Sequence, residues 1–210
     1  MQKRIILASH SPRRKQFLDE LGLQYEILPS LIDEEISNVM GERTSAAQTA
    51  TELARRKAFT VGEKLRQNGN NKTDELIIIA ADTIVVLDDK LFGKPSSPAE
   101  ARSILQSLCG KTHQVCTGIA LLVYNLAQGT MQCLTESEIS LVSFRKYNDA
   151  EIDAYINTGE PFDKAGAYAL QGIGCCLVSK IDGCYTNVIG LPVPKLVKML
   201  REVGVRVLGQ

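Results

Sequence analysis

Apolar residues recur along the chain in short blocks, and the spacing within each block predicts its element. Ile5 to Ala8 is short and unbroken and reads as a buried strand. Phe17, Leu18 and Leu21 share a helical stripe, with Ser11 as N-cap, Pro12 at the first helical position and Gly22 as the stop. Tyr25 to Leu28 reads as a second strand, and the polar stretch from Asp33 to Arg43 as a loop. Thr44 to about Leu65 is rich in Ala, Leu, Arg, Lys and Glu and free of Pro, which predicts a long helix.

Past a polar turn over 67–71, Glu75 to Ala81 is again an unbroken apolar run and predicts a buried strand. Ile84 to Leu87 and Lys90 to Phe92, joined by Asp88-Asp89, predict a hairpin. A helix opens at Ser96 or Ser97, with Pro98 near its start, and runs to Gly110. Thr112 to Tyr124 and Thr130 to Phe144 read as long strands, and Asn148 or Asp149 caps a helix to about Asn157. Gly172 to Lys180 reads as a strand, and a last helix starts after Pro192 and ends by Gly204. Strands and helices alternate while two segments read as hairpins, so the fold class is α/β with a mixed sheet.

Composition narrows the function classes. The 210 residues suffice for one domain or two closely joined lobes. Twenty-four basic residues balance twenty-four acidic ones, so the whole molecule exerts no net pull on a polyanion. With 5% aromatic residues and no stacking platform, nucleic acid is not an expected partner. The first apolar run is too short for a signal-peptide core, and no run approaches the ~20 residues of a membrane span. Cytoplasm is the expected location and no membrane partner is expected. The six cysteines form no C-x-x-C pair and mostly sit in apolar stretches, which predicts buried free thiols. Two histidines, His10 and His113, make a multi-histidine zinc site improbable.

Five segments could carry chemistry. In residues 7–14, Leu-Ala-Ser-His-Ser-Pro-Arg-Arg, a strand gives way to small polar residues and a helix start. Unpaired N–H groups there attract phosphate, and Arg13 and Arg14 can lean back toward an anion held at that end. On spacing alone, a capped helix with two solvated arginines accounts for the segment as well. Asp82 follows the apolar strand, where open α/β sheets place their ligand crevice; a turn-forming or capping acid is the other reading. Lys94 stands between Gly93 and Pro95, either a fixed point charge for phosphate or an exposed turn lysine. The run Arg55-Arg56-Lys57 projects around a helix and in isolation reads as a solvated face, the same plain default that Glu34 and Glu35 have. Residues 160–172 form a glycine-rich link in which Gln171 has the donor and acceptor that pyrimidine recognition needs, or which is a plain surface loop. No P-loop, G-x-G-x-x-G or G-x-S-x-G pattern occurs, which counts against kinase, dinucleotide-dependent oxidoreductase and α/β-hydrolase chemistry.

Together these segments resemble the Maf family, once named for inhibition of septum formation. Leu-Ala-Ser-x-Ser-Pro-Arg-Arg stands at 7–14 and Ala-Asp-Thr-x-Val at 81–85, followed by Gly93-Lys94-Pro95. Leu108-Cys109-Gly110-Lys111-Thr112-His113-Gln114-Val115 comes next, with Cys109 where the family often has Ser. Asp163-Lys164-Ala165-Gly166-Ala167-Tyr168 and Gly190-Leu191-Pro192 complete a series that runs in family order over almost the whole chain. Each motif is weak alone, and their ordered co-occurrence is specific.

The resemblance implies one domain over 1–210: an elongated, twisted mixed sheet flanked by helices, with two lobes and a cleft. It implies hydrolysis of nucleoside triphosphates between the α- and β-phosphates, aided by Mg²⁺ or Mn²⁺. By motif match, Asp82 is the base and a metal ligand together with Glu34. Ser9, Arg13, Arg14, Lys57 and Lys94 meet the phosphates. Arg13, Thr83 and Gln171 stand at the specificity positions; Thr83 and Gln171 match the dTTP/UTP subgroup. A homodimer is a family-level expectation. The alternatives are a 7-methyl-GTP or other modified-nucleotide pyrophosphatase, and a non-catalytic nucleotide-binding regulator of cell division.

Overall fold

The structure is a computed structural model that describes residues 3–30, 45–67, 75–125 and 128–207. Seven strands form one mixed sheet. In chain order the elements are β1 (Lys3–Leu7), α1 (Pro12–Glu20), β2 (Glu26–Ile27), α2 (Ala46–Gln67), β3 (Glu75–Leu87), β4 (Lys90–Phe92) and α3 (Pro98–Leu108). Then come β5 (Thr112–Asn125), β6 (Thr130–Phe144), α4 (Asp149–Asn157), β7 (Val178–Asp182), α5 (Tyr185–Ile189) and α6 (Val193–Glu202). The strand order is β2-β1-β3-β5-β6-β7, and β4 pairs with β3. β1 runs parallel to β2 and β3, while β3–β4 and β6–β7 are antiparallel. The mixed α/β architecture read from the alternation of periods is the one observed.

Three expectations need correction. Asp82 does not close its strand: β3 continues through it to Leu87. Thr83, Ile84, Val85 and Val86 are good strand formers, and the buried acid in their midst has an ion-pair partner. The segment 172–177 is not strand. Ile173–Leu177 is a 3-10 turn, and β7 begins only at Val178. Gly172 starts the turn with a φ of +124°, a conformation an L side chain resists. That turn also overturns the picture of buried thiols: all six cysteines are free, but Cys175 and Cys176 on it are exposed and only Cys116 is fully buried. Elsewhere the turn chemistry holds. Asp88 and Asp89 both take positive φ, the geometry of a tight β3–β4 hairpin. Ser97 caps α3 by accepting from Glu100 N, and Asn148 with Glu151 forms a capping box on α4.

The chain forms two compact units. The first comprises Met1–Asp82, Thr117–Ser137 and Gly190–Gln210. Its core packs Ile6 and Ala8, Leu76, Ile78 and Ala80, and Ala120 and Leu122 against Ala54, Ala58 and Val61 of α2. Gly118 on β5 lets α2 come down to backbone contact. A Cβ there would lie 2.3 Å from the Ala50 carbonyl carbon and the Thr51 nitrogen. The second unit comprises Thr83–Cys116 and Glu138–Ile189. Its core joins Val85, Leu87 and Phe92 to α3, α4, Phe144 and Tyr168. Among the described residues, no helix is long and apolar enough to cross a membrane.

Candidate active site

α2 explains why a lysine is buried in the first unit. Its buried residues are Thr49, Ala50, Leu53, Ala54, Lys57, Ala58 and Val61, a stripe at helical spacing that includes Lys57. The solvated-face reading holds for its neighbours: Arg55 and Arg56 are exposed and pair with Glu52 at 2.7 and 2.9 Å. It fails for Lys57, which is 5% exposed because its register is that of the apolar face. A buried ammonium needs an anion, and Lys57 Nζ donates to Asp82 Oδ1 at 2.6 Å. Asp82 is itself 8% exposed. A cation from a helix and an acid from the strand beneath it thus form a desolvated, fixed pair.

The end of β1 supplies the neighbouring groups. Leu7 lies opposite Ile79 in parallel register, and Ala8 N donates to Ile79 O. The chain therefore leaves β1 toward Ser9 while β3 still has Ala80, Ala81 and Asp82 to run. Ser11 stands at the N-cap of α1 with Pro12 in the first turn, as its sequence predicts, but its side chain makes no capping bond. Ser9 serves this turn instead: its Oγ accepts from Ser11 N at 3.2 Å and from Arg14 Nη1 at 3.1 Å. A hydroxyl that accepts twice keeps its own O–H to donate elsewhere. Arg14 Nε donates to Gly190 O at 2.9 Å, so this arginine ties the loop to the segment before α6. Arg13 is half-buried one residue earlier. The first unit thus brings Ser9, Arg13, Arg14, Lys57 and Asp82 onto adjoining elements.

Thr83, Lys94 and Gln171 belong to the second unit. Thr83 is half-buried on β3. Lys94 is exposed, and the backbone before it is held: Gly93 O accepts from Gly166 N at 3.1 Å. Gly166 has a φ of +73°, and a Cβ on it would sit 3.0 Å from both Val85 methyls. The glycine-rich link is therefore a packed structure with Gly166, Ala167, Tyr168 and Ala169 buried, and Gln171 lies half-buried beyond it. Glu34 and Glu35 lie outside the described residues.

The family described as Maf-like protein matches residues 4–203. The chain belongs to this family. It is 43% identical over 203 residues to the dTTP/UTP pyrophosphatase of Caldicellulosiruptor bescii, covering 96% of each chain. It is 41% identical over 207 residues to the dTTP/UTP pyrophosphatase of Ruminiclostridium cellulolyticum, covering 98% of this chain and 99% of that one. In the first unit, adjoining elements supply cations, a hydroxyl and a carboxylate, the kinds of group a phosphate reaction uses. Among the described residues there is no group of three His, Cys, Asp or Glu side chains able to hold a metal ion. Periodicity gives no sign that Gly190 accepts from Arg14; its signal in the sequence is membership of the Gly190-Leu191-Pro192 motif.

Proposed function

We propose that this Maf-like chain hydrolyses dTTP and UTP to the nucleoside monophosphate and pyrophosphate. The observation that carries the reading is the buried Lys57–Asp82 pair beside the Ser9–Arg14 loop, and relatives named dTTP/UTP pyrophosphatase over nearly their full length support it. Asp82 takes the proton of the attacking water as its oxygen bonds to the α-phosphorus and the bond to the pyrophosphate oxygen breaks. Lys57 orients the carboxylate for that transfer. Ser9 donates its hydroxyl to a phosphate oxygen, and Arg14 holds Ser9 in place. Arg13 and Lys94 neutralise phosphate charge, which turnover at a strongly anionic substrate requires. Thr83, Gln171 and Arg13 set the base preference. Residues 1–210 act in this reading as a single Maf-like domain, and since its substrates are pool nucleotides, the reading carries a cytoplasmic location with it.

The donor set fits a sparsely held hard cation. Mg²⁺ is commonly bound by one or two carboxylates together with substrate phosphates, and Asp82 supplies one such carboxylate, with Glu34 the second in this reading. When bound, Mg²⁺ or Mn²⁺ supplies further charge neutralisation on the phosphate oxygens.

The test is a pyrophosphate-release screen over the common triphosphates and 7-methyl-GTP, with wild type and Asp82→Asn side by side. Wild type should prefer dTTP and UTP. The Asn variant, checked for folding by circular dichroism, should lose at least ~10²-fold in dTTP turnover, the scale of a lost general base. Pyrophosphate release from no triphosphate, or near-wild-type turnover by Asp82→Asn, rejects the mechanism.

A further inference from the structure

The segment that carries Gln171 is pinned from both sides by one carboxylate and one phenol. Glu160 Oε1 accepts from Gly174 N at 2.9 Å and from the Tyr155 hydroxyl at 2.8 Å. Glu160 Oε2 accepts from Ile173 N at 3.0 Å. The same Tyr155 hydroxyl accepts from Ala169 N at 3.1 Å. Ala169 on one side and Ile173 with Gly174 on the other are therefore fixed to a single pair of side chains. Leu170, Gln171 and Gly172 form the short span between them.

The pair is built to be rigid. Tyr155 is 3% exposed and belongs to the core of the second unit. Burial pushes the Glu160 carboxyl up, but the donors from Gly174, Tyr155 and Ile173 and the charge of Lys164 outweigh it and hold the group below its ordinary range. The backbone has no slack either. A Cβ on Gly172 would lie 2.3 Å from Glu160 Oε2, and one on Gly174 would lie 2.4 Å from the Tyr155 oxygen. Three donors on the two oxygens offset the cost of desolvating the carboxylate, so removing an acceptor leaves a donor without its partner.

We propose that Glu160 is the positioning residue that sets where Gln171 stands, and through it the preference for pyrimidine nucleotides. This rests on the specificity role given to Gln171 above. Glu160 needs no contact with the nucleotide. It acts by holding the span on which the recognising amide is mounted, as supporting hydrogen bonds fix a binding group elsewhere. Glu160→Gln removes one acceptor and turns N–H hydrogens toward a backbone N–H, so one of the Ile173 and Gly174 donors loses its partner.

The experiment measures kcat/KM for dTTP and for GTP in wild type, Gln171→Glu, Glu160→Gln and Tyr155→Phe. The ratio of the two constants does not depend on how much of a preparation is folded, so simple destabilisation leaves it unmoved. Gln171→Glu is expected to lower the ratio. Glu160→Gln should lower it in the same direction by roughly tenfold, the scale of one hydrogen bond to a charged group, mainly through KM for dTTP. Tyr155→Phe, which frees Ala169 N and one bond to Glu160, should give a smaller fall and serves if the Glu160 variant does not fold. A ratio that moves with Gln171→Glu but stays at the wild-type value in both other variants overturns the positioning role alone. A ratio unmoved by Gln171→Glu overturns the role of Gln171 itself, and the proposal with it.

Discussion

Replacing Lys57 by methionine keeps the reach of the side chain and removes the ammonium that faces Asp82. The carboxylate is then buried without its counter-charge, which costs ~3–5 kcal/mol. Asp82→Leu in turn removes the carboxylate that Lys57 Nζ meets at 2.6 Å. Replacing both with apolar residues removes the two charges together, and buried pairs exchanged as a unit are often neutral in stability. Urea midpoints of the four proteins should show two weakened single variants and a double variant, Lys57→Met/Asp82→Leu, restored to near wild type and still inactive. Additive losses in the double variant would mean that the two side chains do not depend on each other. Half of this pair was legible in the sequence. Ala50, Leu53, Ala54 and Val61 lie at the spacing that puts Lys57 on the apolar stripe, although a run of three basic residues pulls the eye to the solvated face. The partner was not legible from periodicity, because 25 residues separate the two and only the register of helix on strand brings them together. Ser9 is similar: its motif marks it and its bond from Ser11 is local, but it also accepts from Arg14, a side chain held by a tertiary bond to Gly190.

At the scale of elements, α2 is set by its approach to β5. Gly118→Ala would drive a methyl into the backbone at Ala50 and Thr51, and neither can yield as a flexible side-chain tip would. We expect a loss of ~1–3 kcal/mol or more in denaturant unfolding, the scale of overpacking a core. A matching fall in dTTP hydrolysis should follow, because Lys57 rides on the same helix two turns further on. Unaltered stability would show that α2 can lift away without cost. The sequence predicts most helices to within a few residues, since capping residues and prolines mark their starts: Ser97 with Pro98, and Asn148 with Glu151. It misplaces the end of β3 and the start of β7. An acid inside a strand looks like an ending until its counter-ion is known, and the apolar residues after Gly172 look extended until Glu160 collects their N–H groups. The five-residue α5 is too short to show a period.

Across the molecule, acid should act in two windows. His113 is 1% exposed, with Nε2 at 2.9 Å from the Tyr168 oxygen and the Phe144 and Tyr168 rings edge-on around it. Burial lowers its pKa from 6.5 to about 4. The native state therefore keeps the ring neutral between those values while the unfolded chain takes up a proton, so stability falls as pH drops from about 6.5 toward 4. The full effect is on the order of 3 kcal/mol. Glu52 and Glu160, held below their ordinary range, add losses only once pH falls under about 4.5. Urea midpoints taken from pH 7.5 to 4.5 should decline in wild type and flatten in His113→Leu; parallel curves would show that the ring does not carry the upper window.

The first unit is assembled from three stretches of chain, and the loop that holds Ser9 is fastened through Arg14 to Gly190, 176 residues further along. On a ribosome, Ser9 and Arg14 emerge long before Gly190 exists to receive the guanidinium. Until then the nascent protein carries that loop without its clasp, and a chain halted before codon 190 never acquires it. The clasp thus closes only when the third of the unit's stretches has been made.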